Sequence, residues 1–217
     1  MNLTKVSNPF LLALVLLVVC GAATAIMATT AVMTKEPIEK ASAAKLVEGL
    51  KSVLPAVDND PSKDFFEVKM KKDDGQEEKT IRFYVGRRNG AVVGYAAESS
   101  AKGYGGDVTG LVGFKPDGTA DVVIIQSHNE TPGIGTIIVE RTRKRTISDL
   151  FRGAKPEEGL PPNQYLDSYK GRKAGSAKWD KDEVDFRTGA TISSVAVRDL
   201  VWDAASALER HLNQGGK

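Results

Sequence analysis

No charged side chain occurs between Pro9 and Met33. As a helix, a run of that length reaches roughly 37 Å, more than the ~30 Å hydrocarbon core of a bilayer. The chain therefore reads as an apolar helix at its head with one soluble domain behind it. Residues 1–8 form a short N-terminal tail and residues 9–33 a tilted transmembrane anchor. Two other readings of this segment stand beside it. Ala23-Thr24-Ala25 after an apolar run resembles a signal-peptidase site. Leu17-Val18-Val19-Cys20 loosely resembles a lipoprotein signal, although Val19 is bulky for the place before that cysteine. Lys5 precedes the segment and Lys35, Lys40 and Lys45 follow it. Counted alone, these charges keep the following domain in the cytoplasm, but charges in long translocated domains weigh little and Glu36 and Glu39 interleave.

Without the anchor, about 180 residues remain, enough for one domain with a sizeable core. Cys20 is the one cysteine, so the soluble part has no disulfide and no thiol chemistry. His128 and His211 are the two histidines, with no cluster of ligands near either in sequence, so no metal site is expected. A net charge of +2 gives no field suited to nucleic acid. The local exception is Arg141-Thr142-Arg143-Lys144-Arg145, either a solvated surface or a docking patch for a partner subunit or anionic membrane lipid.

Residues 34–55 read as a linker helix. Apolar side chains at Ala41, Leu46, Val47, Leu50 and Val53 mark its face over 38–54, Gly49 weakens it, and Pro55 ends it. Residues 56–217 form the domain. Strands are expected over 65–71, 80–85, 91–97, 108–114 and 120–127. Asn89-Gly90 between apolar runs is a hairpin signal, and Lys115-Pro116-Asp117-Gly118 a reverse turn. Helices and loops then run from Gly135 to the end, with 155–162 and 170–177 the loosest stretches. Strands first and helices after give an α+β fold: an antiparallel β-meander with flanking helices.

The last helix is amphipathic, with Val197, Leu200, Val201, Ala204, Leu208 and Leu212 on one face. Before it stands Asp185-Phe186-Arg187-Thr188-Gly189-Ala190-Thr191-Ile192-Ser193-Ser194. Thr191, Ser193 and Ser194 are each able to cap the helix. The free amides and partial positive charge of a helix start also suit a phosphate. On these residues alone, a plain N-cap at Thr191 and an anion-holding hydroxyl both stand.

The stretch Asp-x-x-Thr-Gly-Ala-Thr-x-Ser resembles the flavinylation motif of FMN-binding domains. Those domains occur in the G subunit of Rnf complexes and the C subunit of sodium-translocating NADH:quinone reductase. His128-Asn129-Glu130-Thr131-Pro132-Gly133-Ile134-Gly135 is similar to a second motif of these families, with Ile134 in place of leucine. Gly103-Tyr104-Gly105-Gly106 with Leu111-Val112-Gly113-Phe114 resembles their glycine-rich strand entry. The resemblance implies an FMN-binding domain over 56–217, with FMN joined to Thr191 by a phosphoester bond. It implies that a separate flavin transferase makes that bond from FAD and reads Asp185, Thr188, Gly189, Ala190 and Thr191. Cofactor contacts are expected from Glu130, Thr131, Gly133, Ile134, Lys178, Thr188, Gly189, Ala190, Ile192 and Ser193. In that reading Ile134 presses on the ring, loop amides meet ring carbonyls, Glu130 alternatively orients its loop, and Tyr104 or Trp179 stacks.

The implied function is electron transfer through covalent FMN in a membrane-bound, ion-translocating Rnf-type complex, whose end partners are ferredoxin and NAD. The chain is then a single-pass subunit of the cell membrane, with its C-terminal domain extracytoplasmic and other subunits as partners. It is a redox subunit with no catalytic residue of its own. The alternatives are the quinone-reductase C subunit, a membrane-anchored regulatory or sensory flavin module, and a free-standing reductase. No second substrate domain or acid–base cluster supports the last.

Overall fold

The computed structural model describes residues 9–71, 78–141, 159–173 and 189–215. The chain divides into two compact units, Met1–Lys45 and Leu46–Lys217. The first is built on helix α1 (Pro9–Val53), which runs on into the second unit. Its apolar side chains from Phe10 to Met33 are exposed. The helix is long and apolar enough to cross a membrane once. Its threonines turn their hydroxyls back onto the helix: Thr24 donates to the Cys20 carbonyl at 2.8 Å, Thr29 to Ala25 at 2.7 Å and Thr30 to Ile26 at 2.8 Å. Polar groups satisfied within the helix suit an apolar surround.

The anchor and the helix expected from residue 38 are one element, because α1 continues through Pro37. A proline inside a helix removes one amide bond and crowds the preceding turn, at a cost of ~3 kcal/mol. Strong helix formers surround it, and Lys40 pairs with Glu36 one turn back at 2.6 Å. The helix stops at Val53, two residues before Pro55.

The second unit holds a five-stranded antiparallel sheet in the order β1-β2-β3-β4-β5. The strands are β1 (Phe65–Lys71), β2 (Glu78–Arg88), β3 (Ala91–Lys102), β4 (Asp107–Phe114) and β5 (Ala120–Ser127). The expected meander is present. Both central residues of the β2–β3 hairpin have positive φ, Asn89 at 51° and Gly90 at 77°, the geometry for which Asn-Gly is selected. Strand β3 runs five residues past the expected Ala97, because Glu98 to Lys102 continue the ladder opposite Leu111 to Asp107. Small polar residues such as Ser99 and Ser100 give little strand signal by themselves.

Among the described residues, three helices follow: α2 (Thr136–Val139), α3 (Gln164–Asp167) and α4 (Thr191–Asn213). Alternation along the strands sends Ile81, Phe83, Val85, Tyr95, Ala97, Val108, Val112 and Phe114 into the main core. There they join Val197, Leu200, Val201, Ala204 and Leu208 of α4, so the last helix backs this face. The opposite register, Tyr84, Ala96 and Leu111, clusters with Leu50, Val53 and Leu54 at the end of α1. His211, half-buried late in α4, stacks on Phe66 with centroids 4.0 Å apart and planes at 17°. Part of the stretch expected to be loose is also ordered by pairing. Gly171 and the start of β5 exchange backbone bonds, with Gly171 N–H donating to Ala120 and Ala120 N–H to Arg172, both at 2.8 Å.

The close approach of the end of α1 to the sheet depends on Gly113. A Cβ there would lie 2.8 Å from the Val53 carbonyl oxygen, too near for the helix to stay. Gly113→Ala is expected to destabilise the domain by about 1–3 kcal/mol through overpacking, seen as a lower thermal unfolding midpoint by circular dichroism. An unchanged midpoint would mean that the end of α1 is not seated there.

Candidate functional site

The site is assembled around the first turn of α4. Gly189 has φ +90°, a backbone shape that side-chain-bearing residues rarely adopt, and it turns the chain into the helix. Ala190 is the N-cap and its carbonyl accepts the first helical bond, from Ser194 N–H at 2.9 Å. The expectation that Thr191, Ser193 or Ser194 caps the helix is therefore corrected. Ser194 is buried and its hydroxyl also donates to the Ala190 carbonyl, at 2.9 Å. Ser193 is buried and its hydroxyl donates to Glu130 Oε2 at 2.5 Å. Thr191 is the first helical residue and is exposed. The two serines have partners that draw their hydroxyls inward, and the cap position falls on a residue with no hydroxyl.

Glu130 holds three segments together. It is buried, with 5% of its surface exposed. Oε1 accepts the Tyr104 backbone N–H at 2.9 Å and Oε2 accepts the Ser193 hydroxyl. The Glu130 N–H donates to His128 Nδ1 at 3.3 Å. Glycines leave the room this carboxylate needs: a Cβ on Gly103 would collide with Oε1, and one on Gly135 would lie 2.7 Å from Oε2. The Gly103-Tyr104-Gly105-Gly106 segment is the tight turn between β3 and β4, closed by Gly103 N–H to the Gly106 carbonyl at 2.8 Å. The three motifs singled out in the sequence thus converge on one carboxylate.

The loop after Glu130 is closed on itself. Ile134, Gly135 and Thr136 all donate backbone N–H to the Thr131 carbonyl, at 3.2, 2.9 and 3.3 Å. Gly133 N–H donates to the Thr136 hydroxyl at 2.9 Å. These amides, expected to face ring carbonyls, are engaged inside the loop, so what it presents outward is its side chains and its exposed Thr131, Pro132 and Gly133 surface. Ile134 is 50% exposed, and its Cγ2 lies 4.0 Å from where a Cβ of Gly189 would stand. Ile192 is 51% exposed and Tyr104 71%. Among the expected contacts, the structure joins Glu130 to Ser193 and sets Ile134 beside Gly189, with Ala190 buried beneath. Lys178, Trp179, Asp185 and Thr188 lie outside the described residues, as do residues 142–145 of the basic run. Arg141, the first of that run, is not a free surface charge. Only 9% of its side chain is exposed, and it donates to the carbonyls of Val123 and Pro161 and to Asp167.

A second layer of support lies behind the helix start, on residues that no motif marks. Tyr165 Oη donates to the Ser194 carbonyl at 2.6 Å, and Tyr169 Oη donates to Tyr165 Oη at 3.1 Å. Burial pushes both phenols above the ordinary tyrosine range, so they remain neutral donors. Asn163 places them. It caps α3 by accepting the N–H groups of Tyr165 and Leu166, and it donates to the carbonyls of Ile137, Ile138 and Glu140. The available signal was Asn163 as an N-cap before tyrosines spaced four apart.

The meander is backed by a terminal helix, and residues 103–206, which run from the β3–β4 turn into that helix, match the family described as FMN-binding domain. That span contains all three motifs. The chain is 30% identical over 192 residues to the G subunit of the Na+-translocating ferredoxin:NAD+ oxidoreductase complex of Acetobacterium woodii, covering 87% of this chain and 86% of that protein. It is 30% identical over 202 residues to the G subunit of the ion-translocating oxidoreductase complex of Vibrio cholerae, covering 93% and 90%. It is also 30% identical over 168 residues to the G subunit of the proton-translocating ferredoxin:NAD+ oxidoreductase complex of Clostridium ljungdahlii, covering 75% and 74%. The crystal structure of Shewanella oneidensis NqrC is similar with a TM-score of 0.44 and 18% identity, covering 68% of each chain. The chain belongs to the family of G subunits of Rnf-type ion-translocating oxidoreductase complexes. It is an FMN-binding subunit of an ion-translocating redox complex, associated with other membrane redox subunits.

Proposed function

We propose that Thr191 carries FMN through a phosphoester and that the chain passes electrons within its complex by way of that flavin. One observation carries the reading: of the hydroxyls at the start of α4, Ser193 and Ser194 are buried and bonded elsewhere, while Thr191 is exposed at the first helical position. The residues around it fit the group. The helix start favours a phosphate, Gly189 leaves the approach open, and Tyr104, Ile134 and Ile192 give exposed apolar surface for a flat ring. In the attachment step the Thr191 oxygen forms a bond to the FMN phosphorus of FAD. The pyrophosphate bond to that phosphorus breaks, AMP leaves, and the hydroxyl proton passes to the transferase or solvent. Asp185, Thr188, Gly189, Ala190 and Thr191 are the stretch the transferase reads, and Lys178 adds a positive charge to the set of cofactor-binding residues.

Bound there, the isoalloxazine exchanges one or two electrons, which joins two-electron donors to one-electron carriers. The chain's own task is to hold the flavin where partner subunits reach it. A phosphoester prevents loss of the cofactor to a dilute compartment, which suits an extracytoplasmic domain behind the single anchor. Ferredoxin and NAD are substrates of the complex rather than of this subunit, and the ion coupled is sodium or a proton. Co-expression with a flavin transferase is expected to give a flavin-fluorescent band at this chain's position on a denaturing gel. A dark band beside a fluorescent control substrate would contradict attachment.

A further inference from the structure

We propose that Glu130 is a positioning residue that acts on Thr191 through Ser193, and does not itself contact the flavin. The inference rests on the reading that Thr191 is the attachment point. Both carboxylate oxygens are already used, one by Tyr104 N–H and one by the Ser193 hydroxyl. The group is buried, with Gly103 and Gly135 packed so closely that neither can carry a Cβ. No face of it is turned outward to a ligand of the exposed surface. Its reach is long in sequence and short in space: the two partners lie 26 residues before it and 63 after. Ser193 is two positions beyond Thr191, within the same helical turn. Fixing Ser193 therefore fixes the rotation of that turn about the helix axis, and with it the direction of the Thr191 hydroxyl. Bonds to a carboxylate are stronger than neutral ones, which suits a strut that must hold one orientation. The Tyr104 bond sets the height of the β3–β4 turn against the same point, so the exposed Tyr104 and the attachment site are held in one frame. The role has two stages: it presents the hydroxyl to the transferase, and later it limits the swing of the attached flavin.

The experiment uses the full chain in detergent with purified flavin transferase and FAD. Ser193→Ala removes the strut from the helix side without adding bulk, and Glu130→Gln keeps the shape while replacing the charged acceptor. Each variant is expected to lower the rate of flavin incorporation at saturating acceptor by about tenfold, as misplacement of a reacting group does. The fluorescence anisotropy of the flavin that is attached should fall in both. The double variant should be no slower than the slower single one, because both changes break the same contact. Melting curves place every assay below each variant's transition, so a folding defect in Glu130→Gln leaves Ser193→Ala to decide. Wild-type rate and anisotropy in Ser193→Ala, with a band that still depends on Thr191, would overturn this proposal alone. A band that survives Thr191→Ala would overturn the attachment reading, and this proposal with it.

Discussion

Thr191→Ala is expected to leave a folded, membrane-bound protein that carries no flavin after denaturation. The loss should be complete, because among the described residues no neighbouring hydroxyl at the start of α4 is placed to substitute. Ser193 is held by Glu130, Ser194 by the Ala190 carbonyl, and both are buried. The fold should hardly notice the change. Thr191 is not the cap of α4, and its side chain is exposed, so the stability change should stay within about 0.5 kcal/mol. Had Thr191 been the N-cap, alanine would have cost ~1 kcal/mol. Thr191→Ser restores a hydroxyl at the same place and is expected to recover part of the labelling. Measuring the unfolding midpoint and in-gel fluorescence on the same samples separates the two effects. A Thr191→Ala protein that melts markedly earlier, or that still fluoresces, would contradict an exposed, non-capping attachment residue.

The second large effect falls on a residue with no part in the chemistry. Asn163→Ala is expected to destabilise the domain by about 2–4 kcal/mol, since it strands several buried backbone groups at once and removes a cap. The side chain gives Nδ2 bonds to Ile137, Ile138 and Glu140 at 3.1, 3.2 and 2.8 Å, and takes the N–H groups of Tyr165 and Leu166, both at 3.0 Å. It is thus the join between the end of α2 and the start of α3. Through Tyr165 the damage should reach the first turn of α4, where the phenol meets the Ser194 carbonyl. Urea unfolding of the variant should show a lower midpoint at an unchanged slope. A shift no larger than that of a surface substitution would mean these bonds do not bear on stability.

Much of the scaffold was legible because strands and hairpins write themselves locally. The bounds of β1 and β5 follow from their apolar runs, and Asn89-Gly90 specifies the hairpin between β2 and β3. The end of β3 did not, because Ser99 and Ser100 are strand residues only by virtue of the partner β4 offers them. The anchor and the linker helix read as two elements and are one, since the neighbouring turns of α1 carry the helix through Pro37. At the site, the motifs marked the right segments but not the division of labour inside them. Three hydroxyls at a helix start look alike in sequence. Which of them is left outward is decided by Glu130, 63 residues before Ser193 in the chain, and by the Ala190 carbonyl. His211 shows the same limit: its place against Phe66 depends on α4 crossing β1, which no local pattern reveals.

The most direct measurement is the intact mass of the polypeptide isolated from its native membrane, followed by fragmentation to locate any adduct. Covalent attachment predicts a chain heavier by one FMN less one water, with the added mass on the peptide that contains Thr191. A chain at its unmodified mass, or an adduct on a different residue, would contradict it.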